Sequence, residues 1–215
     1  MSSDRIRERQ GACRIIDGAP CPDPSTTASL LPGVIVGEYL RRQRDAVSGR
    51  LLDLGAGNQP YADWYLARCD EAVSTDIAPH PGLSALCAAE GLPFADGSFD
   101  TVLATEVLEH VTDLEHTVDE ICRVLAPGGS ALVTVPYFYP THEPPHDHRR
   151  LTHYGLRGAF ERRGLEVEDL TAKGGLLTLG ATVATTAVCT VLRTAMRRSG
   201  RGPVSAVLAS TLAQL

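Results

Sequence analysis

The side chains best suited to acid–base chemistry are concentrated at 137–155, which reads YFYPTHEPPHDHRRLTHYG. Histidines and acids are dense there: His142, Glu143, His146, Asp147, His148 and His153. Histidine titrates near neutral pH, so it suits a general base that removes a proton from a reacting group. We expect a catalytic histidine at His142, His146 or His148. The alternative is a structural lid whose histidines form internal hydrogen bonds.

A metal ion is another use for these side chains, since imidazole and carboxylate groups are common ligands. No ligand spacing of a known metal site fits the segment, and Pro144 and Pro145 stiffen it. We therefore predict that the chain holds no metal. The pair Glu109 and His110, in EVLEHV, is interpreted as part of a pocket wall rather than as a catalyst.

A glycine turn follows a buried strand pattern in the stretch RLLDLGAGNQPY at 50–61. Gly55 can adopt a positive φ angle, and Gly57 lets a ligand approach the backbone without meeting a Cβ atom. By itself, this pattern also fits a tight turn that binds nothing. Asp76 ends the next strand, in STDI, and strengthens the ligand interpretation. An acid at this spacing can accept hydrogen bonds from two ribose hydroxyls.

Two nucleotide-like ligands commonly occupy such a turn, a dinucleotide and S-adenosylmethionine. A dinucleotide fingerprint needs a third glycine, which the segment GAGNQP at 55–60 lacks. Pro60 also delays the following helix, so the N-terminus of that helix is poorly placed for a pyrophosphate. S-adenosylmethionine carries a sulfonium and no phosphate. We therefore expect it as the cofactor, with Asp53 near its cationic methionine moiety.

The elements that must position these residues alternate between strand and helix. The sequence predicts strands at 50–54, 71–77, 99–105, 130–138 and 165–172, and helices at 34–47, 61–69, 113–129 and 152–164. This alternation predicts an α/β fold: a doubly wound, Rossmann-like, mostly parallel sheet with helices on both faces. Ligands of such sheets bind at the carboxyl ends of the strands, where Gly55 and Gly57 are expected.

Composition restricts the class of protein. The formal net charge is -6, which argues against a nucleic-acid partner, and 215 residues leave no room for a separate recognition domain. The six cysteines show no CxxC pair, and the polar start MSSDRIRERQ lacks the apolar core of a secretory signal. We therefore expect a reducing, cytoplasmic setting and a small-molecule partner.

Three regions are expected along the chain. Residues 1–30 are polar and proline-rich, which predicts an irregular lead-in, and the main domain spans 31–172. Residues 173–215 predict an apolar helical extension, because 174–192 carries no charge. We favour a helix that packs on the domain or at a dimer contact. Weak contact with a membrane surface through 174–201, and a membrane span, are the alternatives left open.

Four blocks of sequence resemble the class I S-adenosylmethionine-dependent methyltransferases, in the broad methyltransferase-11-like, small-molecule branch. The blocks are LLDLGAGNQPY, STDI, GLPFADGSFDTVLATEVLEHV at 91–111 and EICRVLAPGGSALVTVPYF at 120–138. The resemblance extends over roughly 48–172, and the blocks follow one another at the family's spacing. It implies methyl transfer from S-adenosylmethionine.

The resemblance implies a role for individual residues of the glycine turn and the second strand. Asp53, Gly55, Ala56 and Gly57 would wrap the methionine part of the cofactor. Asp76 would hold the ribose hydroxyls. These positions match the family pattern residue by residue.

The resemblance assigns the rest of the cofactor pocket less completely. Three residues would line its adenine and sulfonium sides: Ile77 against adenine, and Thr105 and Glu106 near the sulfonium. Many relatives place an aspartate where this chain has Ala88, to meet the adenine amino group. Adenine would then be read by backbone groups near Ala89 or by Glu90.

The end of the domain departs from the family pattern. Relatives usually finish with a β-hairpin whose last strand enters the sheet, and no such strand is expected after residue 172. The final strand would be missing or replaced by the C-terminal helices. An open sheet edge needs covering, so a truncated chain and a homodimer are both compatible with this pattern.

We expect a methyltransferase that acts on a small molecule through an oxygen, nitrogen or carbon atom, a choice that the residues leave open. The Ala-, Arg- and Thr-rich composition is compatible with a high-G+C bacterium and with secondary metabolism. A non-catalytic scaffold or partner that keeps the fold is the alternative. A nucleotide-dependent oxidoreductase is disfavoured by the absent third glycine.

Overall fold

The computed structural model describes residues 13–16, 19–22, 30–139, 141–172, 174–181, 183–184, 187–188 and 191. Two short strands, β1 (Cys13–Ile16) and β2 (Ala19–Pro22), pair antiparallel within the lead-in that the sequence predicts to be irregular. The rest of that lead-in, and most of the predicted C-terminal extension, lie outside the described residues.

The main sheet has five parallel strands in the order β5-β4-β3-β6-β7. They are β3 (Arg50–Leu54), β4 (Glu71–Asp76), β5 (Ala85–Leu86), β6 (Phe99–Thr105) and β7 (Leu125–Thr134). The chain moves outward from β3 to β5 and then returns to the other side of β3. This reversal creates a switch point at the carboxyl end of β3, where sheets of this kind bind their ligands.

Helices cover the sheet: α1 (Leu30–Arg42), a 3₁₀ turn (Arg44–Ala46), α2 (Ala62–Leu66), α3 (Leu114–Val124) and α4 (His153–Glu161). Two of them begin at side-chain caps. Asp113 accepts a hydrogen bond from the backbone N–H of His116 at 3.0 Å, and Thr152 accepts one from Gly155 at 3.1 Å. Such caps satisfy backbone donors that have no partner inside the helix.

Alternate residues of β3 face two separate cores, one on each side of the sheet. Leu51 packs with Leu40 of α1 and Trp64 of α2. Leu52 points the opposite way and packs with residues of α3 and α4, such as Ile121. Side chains alternate along a strand, so consecutive leucines bury both faces. The predicted doubly wound α/β fold is therefore confirmed.

Several predicted elements differ from those in the structure. Residues 165–172 form no strand, although Leu165 and Val167 pack against the core. The helix predicted at 113–129 ends at Val124, and β7 begins at the next residue. The Pro-Gly-Gly turn therefore lies in the irregular first part of β7. The two-residue strand β5 was not predicted. Among the described residues, no strand pairs with the outer edge of β7.

The described part of the chain contains no helix whose length and hydropathy would suit a membrane crossing. Helical residues do occur within the predicted extension, at 176–181. Leu176 and Leu177 of this helix are largely exposed.

Candidate cofactor and acceptor site

The glycine turn after β3 is held by backbone hydrogen bonds and by close packing. Gly55 has a φ angle of +64°, and the next N–H, that of Ala56, donates to the carbonyl of Thr75 at 2.9 Å. A Cβ atom on Gly55 would lie 2.5 Å from Cγ2 of Val107, which follows β6. Glycine is therefore required at position 55 by the fold itself, because the turn touches the neighbouring strand end.

Gly57 differs from Gly55 because its missing side chain would point into open space. Its φ angle is +49°, and no heavy atom lies within 4 Å of the position that a Cβ atom would take. Its N–H donates to Oδ2 of Asp76 at 2.9 Å, and Oδ1 accepts from Ala78 at 2.9 Å. Each carboxylate oxygen has a second lone pair, so Asp76 can also accept from ribose hydroxyls.

Asp53 lies beneath the turn and is only 2 % exposed. Burial raises the pKa of its carboxyl to about 7, a hydrogen bond with Tyr65 opposes the shift, and the nearby charge of Asp76 adds to it. An acid held in this state near neutral pH is easily ionised by a positive charge brought close to it. Asp53 therefore suits the neighbourhood of a cationic ligand.

We expect the Asp53→Asn variant to remove one pH-dependent component of stability. Below about pH 4 the carboxyl is protonated in both states, whereas between pH 4 and 7 the unfolded chain releases a proton that the native state keeps. Stability contributed by the protonated group is therefore lost as the pH rises through 7. The free energy of unfolding of the wild type, relative to the variant, should fall by several kcal/mol between pH 4 and 7. Each unit by which the native and unfolded pKa values differ contributes about 1.4 kcal/mol.

Denaturant unfolding of both proteins at a series of pH values, without cofactor, measures this difference. Asp70→Asn, at an exposed aspartate before β4, is the matched control and should follow the wild type. A difference between wild type and Asp53→Asn that stays flat from pH 4 to 7 would contradict the burial argument.

The adenine side of the predicted pocket is less defined. Ile77 is 78 % exposed, as a surface for a flat ring would be. Oε1 of Glu90 accepts hydrogen bonds from the backbone and hydroxyl of Thr112 at 2.8 and 2.9 Å. Glu90 therefore supports the loop before α3, and its contact with adenine stays a prediction. Ala89 is partly buried against the core.

Thr105 and Glu106 lie at the carboxyl end of β6, beside the glycine turn. Glu106 adopts a φ angle of +56°, and its N–H donates to the carbonyl of Thr134 at 3.0 Å. The hydroxyl of Thr134 donates to Oε1 of Glu106 at 2.6 Å. A positive φ angle is uncommon for glutamate, so these two bonds hold the carboxylate in a fixed position.

A cavity of about 510 Å³ opens next to Glu106. It lies between the carboxyl end of β7, the start of α4, helix α1 and residues from 169–172 and 174–179, and its wall includes Tyr39, Tyr137 and Phe138. This volume is typical of a site for a small organic molecule. Burial raises the pKa of Tyr39 to about 12, so its phenol stays protonated at neutral pH.

The predicted catalytic histidines do not line this cavity. His146 and His148 are exposed, and their ring centroids lie 6.3 Å apart. His142 is partly buried behind Tyr139, with ring centroids 5.1 Å apart. The described histidine on the cavity wall is His153, at the start of α4. The sequence groups all four histidines in one loop and gives no signal that separates them.

The loop that carries these histidines is anchored to the chain after β6. Arg149 donates to the carbonyls of Val111 and Thr112 at 2.6 and 2.9 Å. Arg150 binds Oδ2 of Asp147 at 2.8 Å and the carbonyl of Tyr139 at 3.0 Å. These contacts support the interpretation of the loop as a structural lid. The two arginines that secure it were not identified from the sequence.

The residues at the switch point fit S-adenosylmethionine. The open space at Gly57 admits a ligand to the backbone, and Asp76 offers acceptor oxygens for hydroxyls. The helix that follows, Ala62–Leu66, begins five residues after Gly57 and has only five residues. This donor set matches a ribose and a cation rather than a phosphate.

Comparisons with known proteins agree with this fit. The methyltransferase domain family matches residues 52–133. A probable S-adenosylmethionine-dependent methyltransferase of Mycolicibacterium smegmatis is 32 % identical over 176 residues, which cover 70 % of this chain and 68 % of the relative. Methyltransferase GfsG of Streptomyces halstedii is 32 % identical over 127 residues, which cover 50 % of this chain and 46 % of GfsG.

Solved structures show the same fold. The YcgJ protein of Bacillus subtilis superimposes with a TM-score of 0.55 and 21 % identity, over 64 % of this chain and 70 % of YcgJ. The chain spans 21 %, 46 % and 68 % of the length of the first curated relatives that it matches. Fold, turn and relatives agree, and the chain belongs to the class I S-adenosylmethionine-dependent methyltransferases, with S-adenosylmethionine as its cofactor.

Proposed function

We propose that the protein methylates a small molecule that binds in the cavity beside Glu106. The observation that carries the proposal is that the cofactor turn and the cavity are close together. Gly55 of the cofactor turn packs against Val107, and the preceding residue, Glu106, lines the cavity of about 510 Å³. A molecule in the cavity would thus lie next to the sulfonium side of the cofactor.

The cofactor supplies a methyl group activated by a sulfonium, and the protein supplies the position of the acceptor. Methyl transfer needs the acceptor atom aligned with the carbon–sulfur bond, which a closely fitting wall can provide. The wall of the cavity is mainly apolar and aromatic, and its carboxylate and imidazole groups are those of Glu106, Asp169 and His153. This lining favours a largely apolar acceptor with one polar atom.

We assign the proton acceptor to the cavity wall rather than to the exposed histidines. Glu106 is fixed by Thr134 at 2.6 Å, and His153, at the N-terminus of α4, also lines the cavity. Either group can take a proton from a hydroxyl or an amine of the acceptor. The predicted catalytic roles of His142, His146 and His148 would then be replaced by roles in the lid.

The cofactor contacts that the resemblance implies complete the proposal. Asp53, Gly55, Ala56 and Gly57 hold the methionine part, and Asp76 holds the ribose. Ile77 and the backbone of Ala89 lie on the adenine side, with Thr105 near the sulfonium. The catalytic unit is the domain at 31–172, and the cavity also uses residues after 172, such as Leu179.

A cavity-filling variant tests the acceptor site. Leu179 lines the cavity from the helix at 176–181, whereas Leu177 of the same helix is 90 % exposed and lies outside it. We expect Leu179→Trp to reduce methyl transfer at least about tenfold by occupying the acceptor volume, and Leu177→Trp to leave it unchanged. Affinity for S-adenosylhomocysteine should stay the same in both variants.

The measurement is the transfer of labelled methyl from S-adenosylmethionine to a panel of phenols, amines and carboxylic acids. Labelling of protein or RNA in parallel tubes tests macromolecular acceptors. Transfer that continues in Leu179→Trp, or that favours a macromolecule, would contradict the small-molecule proposal.

A further inference from the structure

A cluster of metal-ligand side chains lies outside the proposed cofactor and acceptor sites. Glu109 and His110 follow β6, and His142 belongs to the loop after β7. One ligand atom from each of the three lies within 4.8 Å of the others. They come from two loops that meet at the carboxyl ends of the adjacent strands β6 and β7.

A polar oxygen lies beside Nδ1 of each imidazole ring. Nδ1 of His110 lies 2.9 Å from the carbonyl oxygen of His146, which can only accept, so this nitrogen carries the hydrogen. Nδ1 of His142 lies 3.3 Å from Oδ2 of Asp147. In the neutral form of each ring, Nε2 then keeps the lone pair that a metal requires. A second partner on the remote nitrogen is a recurring feature of histidine ligands.

The distances from Glu109 to the two imidazoles suit a shared ion better than direct hydrogen bonds between these groups. Its Oε1 lies 3.6 Å from Nε2 of His110 and 4.0 Å from Nε2 of His142. Both separations exceed the length of an N–H···O hydrogen bond. Bonds of about 2.0–2.2 Å from one ion at tetrahedral angles place ligand atoms roughly 3.3–3.6 Å apart. Since the three ligand atoms lie within 4.8 Å of one another, movements of roughly an ångström would close this site.

Burial and charge also favour a bound cation. The side chain of Glu109 is 2 % exposed, and those of His110 and His142 are 20 % and 26 % exposed. Arg150 pairs with Asp147, the acid beside Nδ1 of His142. A carboxylate buried beside two imidazoles gains stability when all three coordinate one ion.

We propose that Glu109, His110 and His142 bind one divalent transition-metal ion of the zinc type. Two imidazoles and one carboxylate form a common ligand set for zinc and leave a further coordination position. The ion would clamp the lid loop to the chain after β6, where the N–H of His148 already donates to the carbonyl of Glu109 at 2.9 Å. It would also fix Tyr139, which touches His142 and lines the cavity.

Zinc titration of protein stripped with a chelator tests this site and does not depend on methyl transfer. We expect one zinc ion to bind per wild-type chain, by calorimetry and by metal analysis of the dialysed protein. His142→Ala and His110→Ala should each weaken binding at least about 100-fold, the upper range for losing a partner of a ligand. His148→Ala, which removes an exposed imidazole from the same loop, should bind as the wild type does.

Thermal unfolding without metal shows whether each variant is folded, and His142→Gln is a second variant should His142→Ala unfold. The visible spectrum of bound Co²⁺ then reports whether imidazoles are lost from the site. An equal affinity in the wild type and in the folded His110 and His142 variants would place zinc elsewhere, for example on cysteines, and overturn the proposal. Absence of bound zinc in the wild type would do the same.

Discussion

The Asp76→Ala variant should fold but bind S-adenosylhomocysteine at least about 100-fold more weakly than the wild type. Two ribose hydroxyls lose a charged acceptor in this variant, and a hydrogen bond to a charged group contributes about 1.5–3 kcal/mol. The glycine turn also loses its anchor, because Asp76 accepts from the N–H groups of Gly57 and Ala78, both at 2.9 Å. Calorimetric titration measures the loss directly.

Asp70→Ala is the matched control for this prediction, since Asp70 is an exposed aspartate six residues before Asp76. It should bind S-adenosylhomocysteine with wild-type affinity. Thermal unfolding of both variants separates a binding effect from loss of the fold. An Asp76→Ala protein that binds as tightly as the wild type would remove the ribose assignment.

The Gly57→Ala variant should lose cofactor binding while keeping most of its stability. The added methyl group meets no protein atom within 4 Å, so the fold bears only the strain of alanine at a φ angle of +49°, about 1–2 kcal/mol. The same methyl group would occupy the space through which a ligand reaches the backbone. We expect the affinity for S-adenosylhomocysteine to fall at least about 100-fold, the equivalent of roughly 2.8 kcal/mol.

Gly55→Ala provides the contrasting case. Its Cβ atom would lie 2.5 Å from Cγ2 of Val107, at a φ angle of +64°. This variant should therefore lose stability, seen as a lower midpoint of denaturant unfolding, as well as binding. Unchanged cofactor affinity in folded Gly57→Ala would show that the ligand does not approach the turn.

Much of the sheet could be predicted because its strands are short, apolar and bounded by turn residues. The strands at 50–54 and 99–105 lie where the sequence predicts them. The predicted strand at 165–172 fails for a physical reason. Its apolar residues alternate because Leu165 and Val167 pack on the core, but no strand among the described residues pairs with this segment. An alternating pattern reports burial of one face and not hydrogen bonding.

The glycine turn could be located from sequence because its residues are close together along the chain and their types are restrictive. The cavity and the cluster of Glu109, His110 and His142 could not. His142 meets Glu109 and His110 only because β6 and β7 are adjacent in the sheet, and no spacing within one loop encodes that contact. Likewise, His153 lines the cavity while His146 faces solvent, a difference set by the path of the lid.

Titration of the purified wild-type protein with S-adenosylmethionine, S-adenosylhomocysteine and NAD is the most direct test of the central claim. The turn at Gly55 and Gly57, with Asp76 beside it, predicts binding of the first two ligands and none of NAD. The turn lacks the third glycine of a dinucleotide site, and the helix that follows begins only at Ala62. Binding of NAD, or silence from all three ligands, would contradict the account of this site.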